Sequence, residues 1–228
     1  MRGDCSFLQE KIVLRFRQYG LCAGVRQLGM AFVRRFYLES RDFVFVIPKF
    51  TGLSFHDPCI SILSRERINK AQASGELNQA QAELLTGFLD ADCIGVCAEI
   101  EGKLAGYAWV QLAGGYTFGG TGRIVIPQRH ALLKYLFVVP AYRGMGIGQK
   151  LNAARLALIP PDFTPVVFII PENRFAIRNW ERFGFQRVLL VKRWQWGRNG
   201  KLRMQVTRLA ELPAAGPLVQ ALEASGEI

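Results

Sequence analysis

Leu136-Phe137-Val138-Val139-Pro140-Ala141-Tyr142-Arg143-Gly144-Met145-Gly146-Ile147-Gly148 is the stretch on which the reading of this chain turns. Lys134 to Val139 is a short, apolar, β-rich run, which predicts a buried strand. Pro140 has no N–H for a sheet ladder, so the strand ends or bulges there. Gly144, Gly146 and Gly148 lack a Cβ, so backbone amides can face one concavity. Gln149 to Leu158 then predicts a helix, with Leu151, Ala154, Arg155 and Leu158 at helical spacing. Amides gathered at a helix N-terminus, with the helix dipole behind them, form a cradle for phosphate.

Three phosphate-binding patterns compete for this loop. A nucleoside-triphosphate loop needs Gly-Lys-Ser/Thr at its end, and Gly148-Gln149-Lys150 breaks that. A dinucleotide loop needs its third glycine one residue later, with an acidic residue about 20 residues on. Glu172 falls near that window, but the glycine spacing is wrong. The third pattern is Arg/Gln-x-x-Gly-x-Gly/Ala, which Arg143, Gly146 and Gly148 match. With Val139-Pro140 ahead of it, the loop resembles the pyrophosphate loop of the GCN5-related N-acetyltransferases, the GNAT family.

The resemblance extends downstream and upstream. Glu172-Asn173-Arg174-Phe175-Ala176-Ile177-Arg178-Asn179-Trp180, closed by Gly184-Phe185, is similar to that family's second motif. The two motifs lie about 25 residues apart in the right order, which is far more specific than either alone. Val96 to Trp109, turning at Glu101-Gly102, is similar to its central hairpin. The likeness covers roughly Phe43 to Leu209. It implies a mixed, mainly antiparallel central sheet flanked by helices, of the acyl-CoA N-acyltransferase kind.

The resemblance implies acyl transfer from acetyl-CoA, as co-substrate, directly to a primary amine, with no metal. Phe137, Val138, Val139, Arg143, Gly144, Met145, Gly146, Ile147 and Gly148 would hold the coenzyme, joined by Asn173, Ala176 and Trp180 from the second motif. A backbone N–H near Val138 or Val139 would polarise the thioester carbonyl. In the family a Tyr often protonates the leaving thiolate; Trp180 stands at that position, and an indole N–H is no usable acid. Tyr142 and Tyr135 are the tyrosines nearest in sequence. The amine must also lose a proton, for which Glu99, Glu101, Glu172 and His130 are the available groups. The catalytic candidates carried forward are Glu99, Glu172 and Tyr142.

The chain has 228 residues, half of them hydrophobic, enough for one domain with an appended segment. No run reaches the roughly 18 uninterrupted apolar residues of a membrane span. Asp4 and Glu10 interrupt any secretory signal, which points to the cytoplasm and, for the 5 scattered cysteines, to reduced thiols. Residues 1–42 read as a basic amphipathic helical extension, with stripes Leu8, Ile12, Phe16 and Leu21, Val25, Leu28, Phe32, suited to packing on the domain or to peripheral contact with an anionic membrane. Residues 43–210 form the acyltransferase-like domain. Residues 211–228 read as a Pro/Gly/Ala-rich tail without a periodic core.

A net charge of +11 favours anionic partners. Lys192, Arg193, Arg203 and Arg208 add to this on the final strand pair, whose exposed edge also offers a homodimer contact. An anionic acceptor such as an amino sugar or nucleotide sugar fits that charge. Nucleic acid ranks below it, because no nucleic-acid-binding motif accompanies the charge. The alternatives are a non-catalytic CoA- or anion-binding module of the same fold, and a membrane-associated interaction protein.

Overall fold

The computed structural model describes residues 37–117, 123–197 and 200–225. The expected helices of the N-terminal extension lie outside the described residues, except that residues 37–42 belong instead to the first strand. That strand, β1, runs Tyr37–Val46. Contacts divide the chain into two compact units. In the smaller, which includes residues 37–40 and Arg193–Arg203, the Tyr37 ring lies 4.7 Å from that of Trp196. The larger unit holds Arg41–Lys192 and the described chain from Met204 onward.

After β1 come β2 (Ile60–Ile62), α1 (Arg65–Ala73), α2 (Gln79–Asp90), β3 (Ile94–Ile100) and β4 (Lys103–Gln111). The small strands β5 (Gly115–Thr117) and β6 (Arg123–Val125) form a separate ladder. Then follow β7 (His130–Val138), a 3-10 turn at Pro140–Tyr142, α3 (Ile147–Ala157), β8 (Thr164–Ile169), α4 (Arg174–Arg182), β9 (Gln186–Trp196), β10 (Leu202–Arg208), and α5 (Gly216–Ser225). The main sheet has the order β10-β9-β1-β8-β7-β4-β3-β2. It is mixed: β7 and β8 are parallel, and β1–β8, β2–β3, β3–β4 and β4–β7 are antiparallel.

Local chemistry explains these boundaries. Asn78 caps α2 by accepting from the Gln81 amide, while the Gln81 side chain accepts from the Asn78 amide, so two orphan donors are met reciprocally. Glu101 and Gly102 both adopt positive φ, as a tight two-residue hairpin between twisted strands requires. A Cβ on Gly106 would stand 2.6 Å from the Phe137 carbonyl oxygen, the close backbone approach expected of a glycine within a strand.

The tail departs from expectation. Pro217 is tolerated in the first turn of α5, and Leu218, Val219 and Leu222 recur on one face and are buried. With Val44, Val46, Val166, Val188 and Val191 they build the core on one side of the sheet. On the other side Phe45, Val167 and Ile169, alternating with those valines, pack with Leu156, Ile177 and Trp180 of α3 and α4. β2 is also additional, in a stretch whose Gly, His, Asp and Pro content reads as loop.

Candidate active site

Two irregularities open a gap in the centre of the sheet. Lys134 pairs with Trp109 and Phe137 with Tyr107, so Tyr135 and Leu136 together oppose Ala108. This is a β-bulge, with Tyr135 at φ 49°. The Tyr107 ring stacks between those of Tyr135 and Phe137, at 6.2 and 5.3 Å, and burial pushes its phenol up to about 12. Meanwhile the β7–β8 pairing ends at Leu133–Val167. Beyond that point β7 turns a bare edge toward β8.

Arg155 stabilises the opening. Its place in the apolar stripe of α3 buries it to 2% exposure. Nη1 donates to the carbonyls of Trp109 (3.2 Å) and Lys134 (3.0 Å), both at the bulge. Nε and Nη2 donate to Asn152 Oδ1 at 3.0 and 2.6 Å. The guanidinium also lies 4.9 Å from the centre of the Trp180 ring. Burial lowers its pKa to about 9, still protonated at neutral pH.

The strand edge and the glycine loop line one cavity of about 720 Å³, bounded by Leu136, Phe137, Val138, Tyr142, Arg143, Gly144, Gly146, Ile147, Gly148 and Gln149, with Phe175 and Asn179 of α4. Gly144 and Gly146 adopt φ 84° and 75°, and Gly146 is the N-cap of α3 without a side-chain cap. The amides of Gly144 to Gly148 have no partner among the described residues, whereas those of Gln149 and Lys150 bond to the Gly146 carbonyl. The Val139 amide donates to the Ala105 carbonyl at 2.9 Å. Strand alternation therefore turns the N–H and C=O of Val138 to the bare edge. Arg143 Nε donates to that carbonyl at 3.2 Å, and the β7–β8 ladder stops at Leu133–Val167, short of the N–H. Of the two expected polarising amides, Val138 is the one available, and Val139 is spent on β4.

A second cavity, of about 430 Å³, occupies the gap itself. Arg155, Asn173, Ala176 and Trp180 line it from α3 and α4, and Asp42 and Tyr116 from the strands. Asn173 thus lies at the cleft, but its side chain accepts from the Ala176 amide at 3.0 Å as the cap of α4. Trp180, at 4% exposure, packs on Phe183 and Phe185. Met145 belongs to the loop but is exposed and does not line the cavity.

The acidic candidates are not brought to the cleft. Glu99, on β3, accepts from Arg67 Nε, in a cluster with Glu76. Glu172 is an exposed turn residue, and Glu101 an exposed hairpin residue. His130 is buried with Nδ1 2.9 Å from the Gln128 carbonyl oxygen and Nε2 3.1 Å from that of Ala214. Tyr142 does line the larger of these two cavities. Sequence reasoning missed Asp42, Asn152, Phe175 and Asn179 at the cleft; Arg155 carried a usable signal, as a charge inside an apolar helical stripe.

Among the described residues no cluster of side chains suited to a metal ion occurs, and no helix is long and apolar enough to cross a membrane.

A family model described as the acetyltransferase (GNAT) family matches residues 60–185. No curated protein matches the sequence. Among solved structures, the chain is similar to an acetyltransferase of the GNAT family from Novosphingobium aromaticivorans, with 19% identity, a TM-score of 0.51 and 68% of this chain covered. The chain spans 63% of that protein's length. A Drosophila protein is 22% identical, with a TM-score of 0.46, covering 77% of this chain and 57% of its own. An aminoglycoside N-acetyltransferase solved with CoA is 18% identical, with a TM-score of 0.39, covering 56% and 91%.

Proposed function

The chain belongs to the GNAT acetyltransferase family, and from that premise we propose that it transfers an acetyl group from acetyl-CoA to a primary amine. The observation that carries this reading is the cavity shared by the unpartnered amides of Gly144, Gly146, Ile147 and Gly148 and the bare edge of β7. The pyrophosphate of the coenzyme lies on those amides at the positive end of α3, with the Arg143 guanidinium beside it. The pantetheine arm follows Leu136 to Val138 as an added strand, and the thioester reaches the gap. The Val138 N–H donates to the carbonyl oxygen as negative charge develops there.

Attack by the amine gives a tetrahedral intermediate, whose collapse expels the CoA thiolate. Tyr142 is the phenol lining the coenzyme cavity and is assigned to protonate that thiolate. No covalent enzyme intermediate is needed, so positioning supplies much of the rate. The overall charge of +11 supports an anionic acceptor such as an amino sugar or nucleotide sugar, drawn in at long range.

Calorimetry with CoA tests the reading. Wild type is expected to bind at micromolar concentration, and Gly148→Val to lose about 100-fold in affinity, roughly 2.7 kcal/mol. A Cβ at Gly148 would make ordinary contacts at 3.8 Å with Leu136 and Val138, so a larger side chain fills the coenzyme channel without straining the backbone. Absence of CoA binding by wild type would sink the proposal. A second reading, a CoA-binding module without activity, is favoured by Trp180 in place of an acid; free thiol released from acetyl-CoA with any amine eliminates it.

A further inference from the structure

We propose that Arg143 selects the acyl donor: in the free protein its guanidinium occupies the strand-edge carbonyl that a pantetheine arm must use, and a donor carrying a diphosphate draws it away. The inference rests on the acyltransferase reading of the cleft and goes beyond it, to which thioesters the cleft admits.

The open edge of β7 offers one donor and one acceptor at Val138. The Val139 amide is bonded to the Ala105 carbonyl, so the Val138 N–H and C=O both point away from β4. An arm added along that edge as a strand needs both groups, the N–H for one of its carbonyls and the C=O for one of its amides. The β7–β8 ladder stops at Leu133–Val167 and leaves the N–H clear. The C=O is taken: Arg143 Nε donates to it at 3.2 Å. Half of the ladder that the arm would form is therefore filled from within the chain.

The occupant can leave without disturbing the fold. The Arg143 amide closes the 3-10 turn by donating to the Pro140 carbonyl at 3.3 Å, which holds the backbone in place. Beyond the Cα the side chain is exposed, and it lines the same cavity as Gly144, Gly146, Ile147 and Gly148. It is the one charged residue among the described residues of that lining. Among the described residues no carboxylate pairs with it. The neighbouring cations are held more firmly. Lys150 Nζ, in the first turn of α3, is 2.9 Å from Asp57 Oδ2. Lys134 Nζ is 2.7 Å from Gln111 Oε1, and Arg155 is bound to two carbonyls and Asn152.

The strengths of the two contacts decide where the guanidinium goes. A bond to a neutral carbonyl at an exposed position is weak, whereas the planar fork pairs with phosphate through two parallel charge-assisted bonds, each roughly twice as strong as a neutral one. A diphosphate seated on the loop amides therefore draws Arg143 over and releases the Val138 carbonyl to the arm in the same event. A thioester on pantetheine alone must displace the guanidinium and gives it no new partner. One side chain thus raises the affinity for one class of donor and lowers it for the other. A residue that only shaped the loop would move both in the same direction.

The test is calorimetry on the full chain with CoA and with pantetheine, both kept reduced. Arg143→Met keeps the stem of the side chain and removes every donor. CoA affinity is expected to fall about 10-fold and pantetheine affinity to rise about threefold, so that the preference for CoA drops about 30-fold. A second measurement needs no variant. Saturating inorganic diphosphate is expected to tighten pantetheine binding to wild type about threefold, and this coupling should vanish in Arg143→Met. Pantetheine affinity no higher in Arg143→Met than in wild type, including no detectable binding by either, would overturn the inference. So would an unchanged CoA affinity in the variant, or no effect of diphosphate on wild type. Any of these results with CoA still bound by wild type leaves the acyltransferase reading standing, whereas failure of wild type to bind CoA overturns both.

Discussion

At the scale of single residues, the bulge at Tyr135–Leu136 and the guanidinium of Arg155 define the site together. Arg155→Met keeps the bulk but removes every donor, leaving the Trp109 and Lys134 carbonyls and Asn152 Oδ1 without their partner. The expected cost is about 3 kcal/mol of stability, read by urea denaturation, and Arg155→Lys should recover little of it, because an ammonium cannot span those acceptors. Val138 offers a cleaner chemical test. Its N–H faces away from β4, so Val138→Pro deletes that donor without breaking the β4 ladder. A fall in kcat on the order of 100-fold, about 3 kcal/mol, with CoA affinity retained is the expected outcome of steady-state kinetics and calorimetry. An unchanged kcat would assign the oxyanion to another group.

At the scale of elements, the Arg67–Glu76–Glu99 cluster ties α1 to β3. Burial alone would raise the Glu76 carboxyl. Bonds from Ser74, the Leu104 amide at 2.5 Å and Arg67 outweigh it and bring the group down from 4.5 to about 2. A depressed carboxyl stabilises the fold fully above its unfolded pKa and progressively less as pH falls through the folded one. The melting-temperature gap between wild type and Glu76→Gln should therefore be widest above about pH 5 and close toward about pH 2. A gap independent of pH would contradict the assignment. Helix α5 makes a packing prediction: Leu222→Ala, at a fully buried position, should cost about 2–4 kcal/mol by denaturant unfolding. That helix was not legible in the sequence. Its two glycines and two prolines between Pro213 and Gly226 mask a stripe only three residues strong, and its partners, Val44 and Val188, are remote in the chain. The glycine loop, by contrast, was legible because backbone geometry demanded particular residue types at fixed spacings. The smaller cavity was not, since its lining is drawn from β1, β5, β7, β8, α3 and α4.

At the scale of the whole molecule, a charge of +11 favours the polyanionic coenzyme of the proposed reaction. CoA affinity is therefore expected to fall steadily between about 50 and 500 mM salt, with the association rate bearing most of the loss. A salt-independent association rate would show that local contacts alone govern capture. The separation of β7 from β8 past Leu133 also has a signature in hydrogen–deuterium exchange. In the free protein, the Phe137 and Val139 amides should exchange slowly and that of Val138 fast, a period-two pattern along one strand. Loading the coenzyme should erase that alternation by protecting Val138. Because the seam already stands open, protection should arise at the rate of encounter, without a slower phase in which strands part.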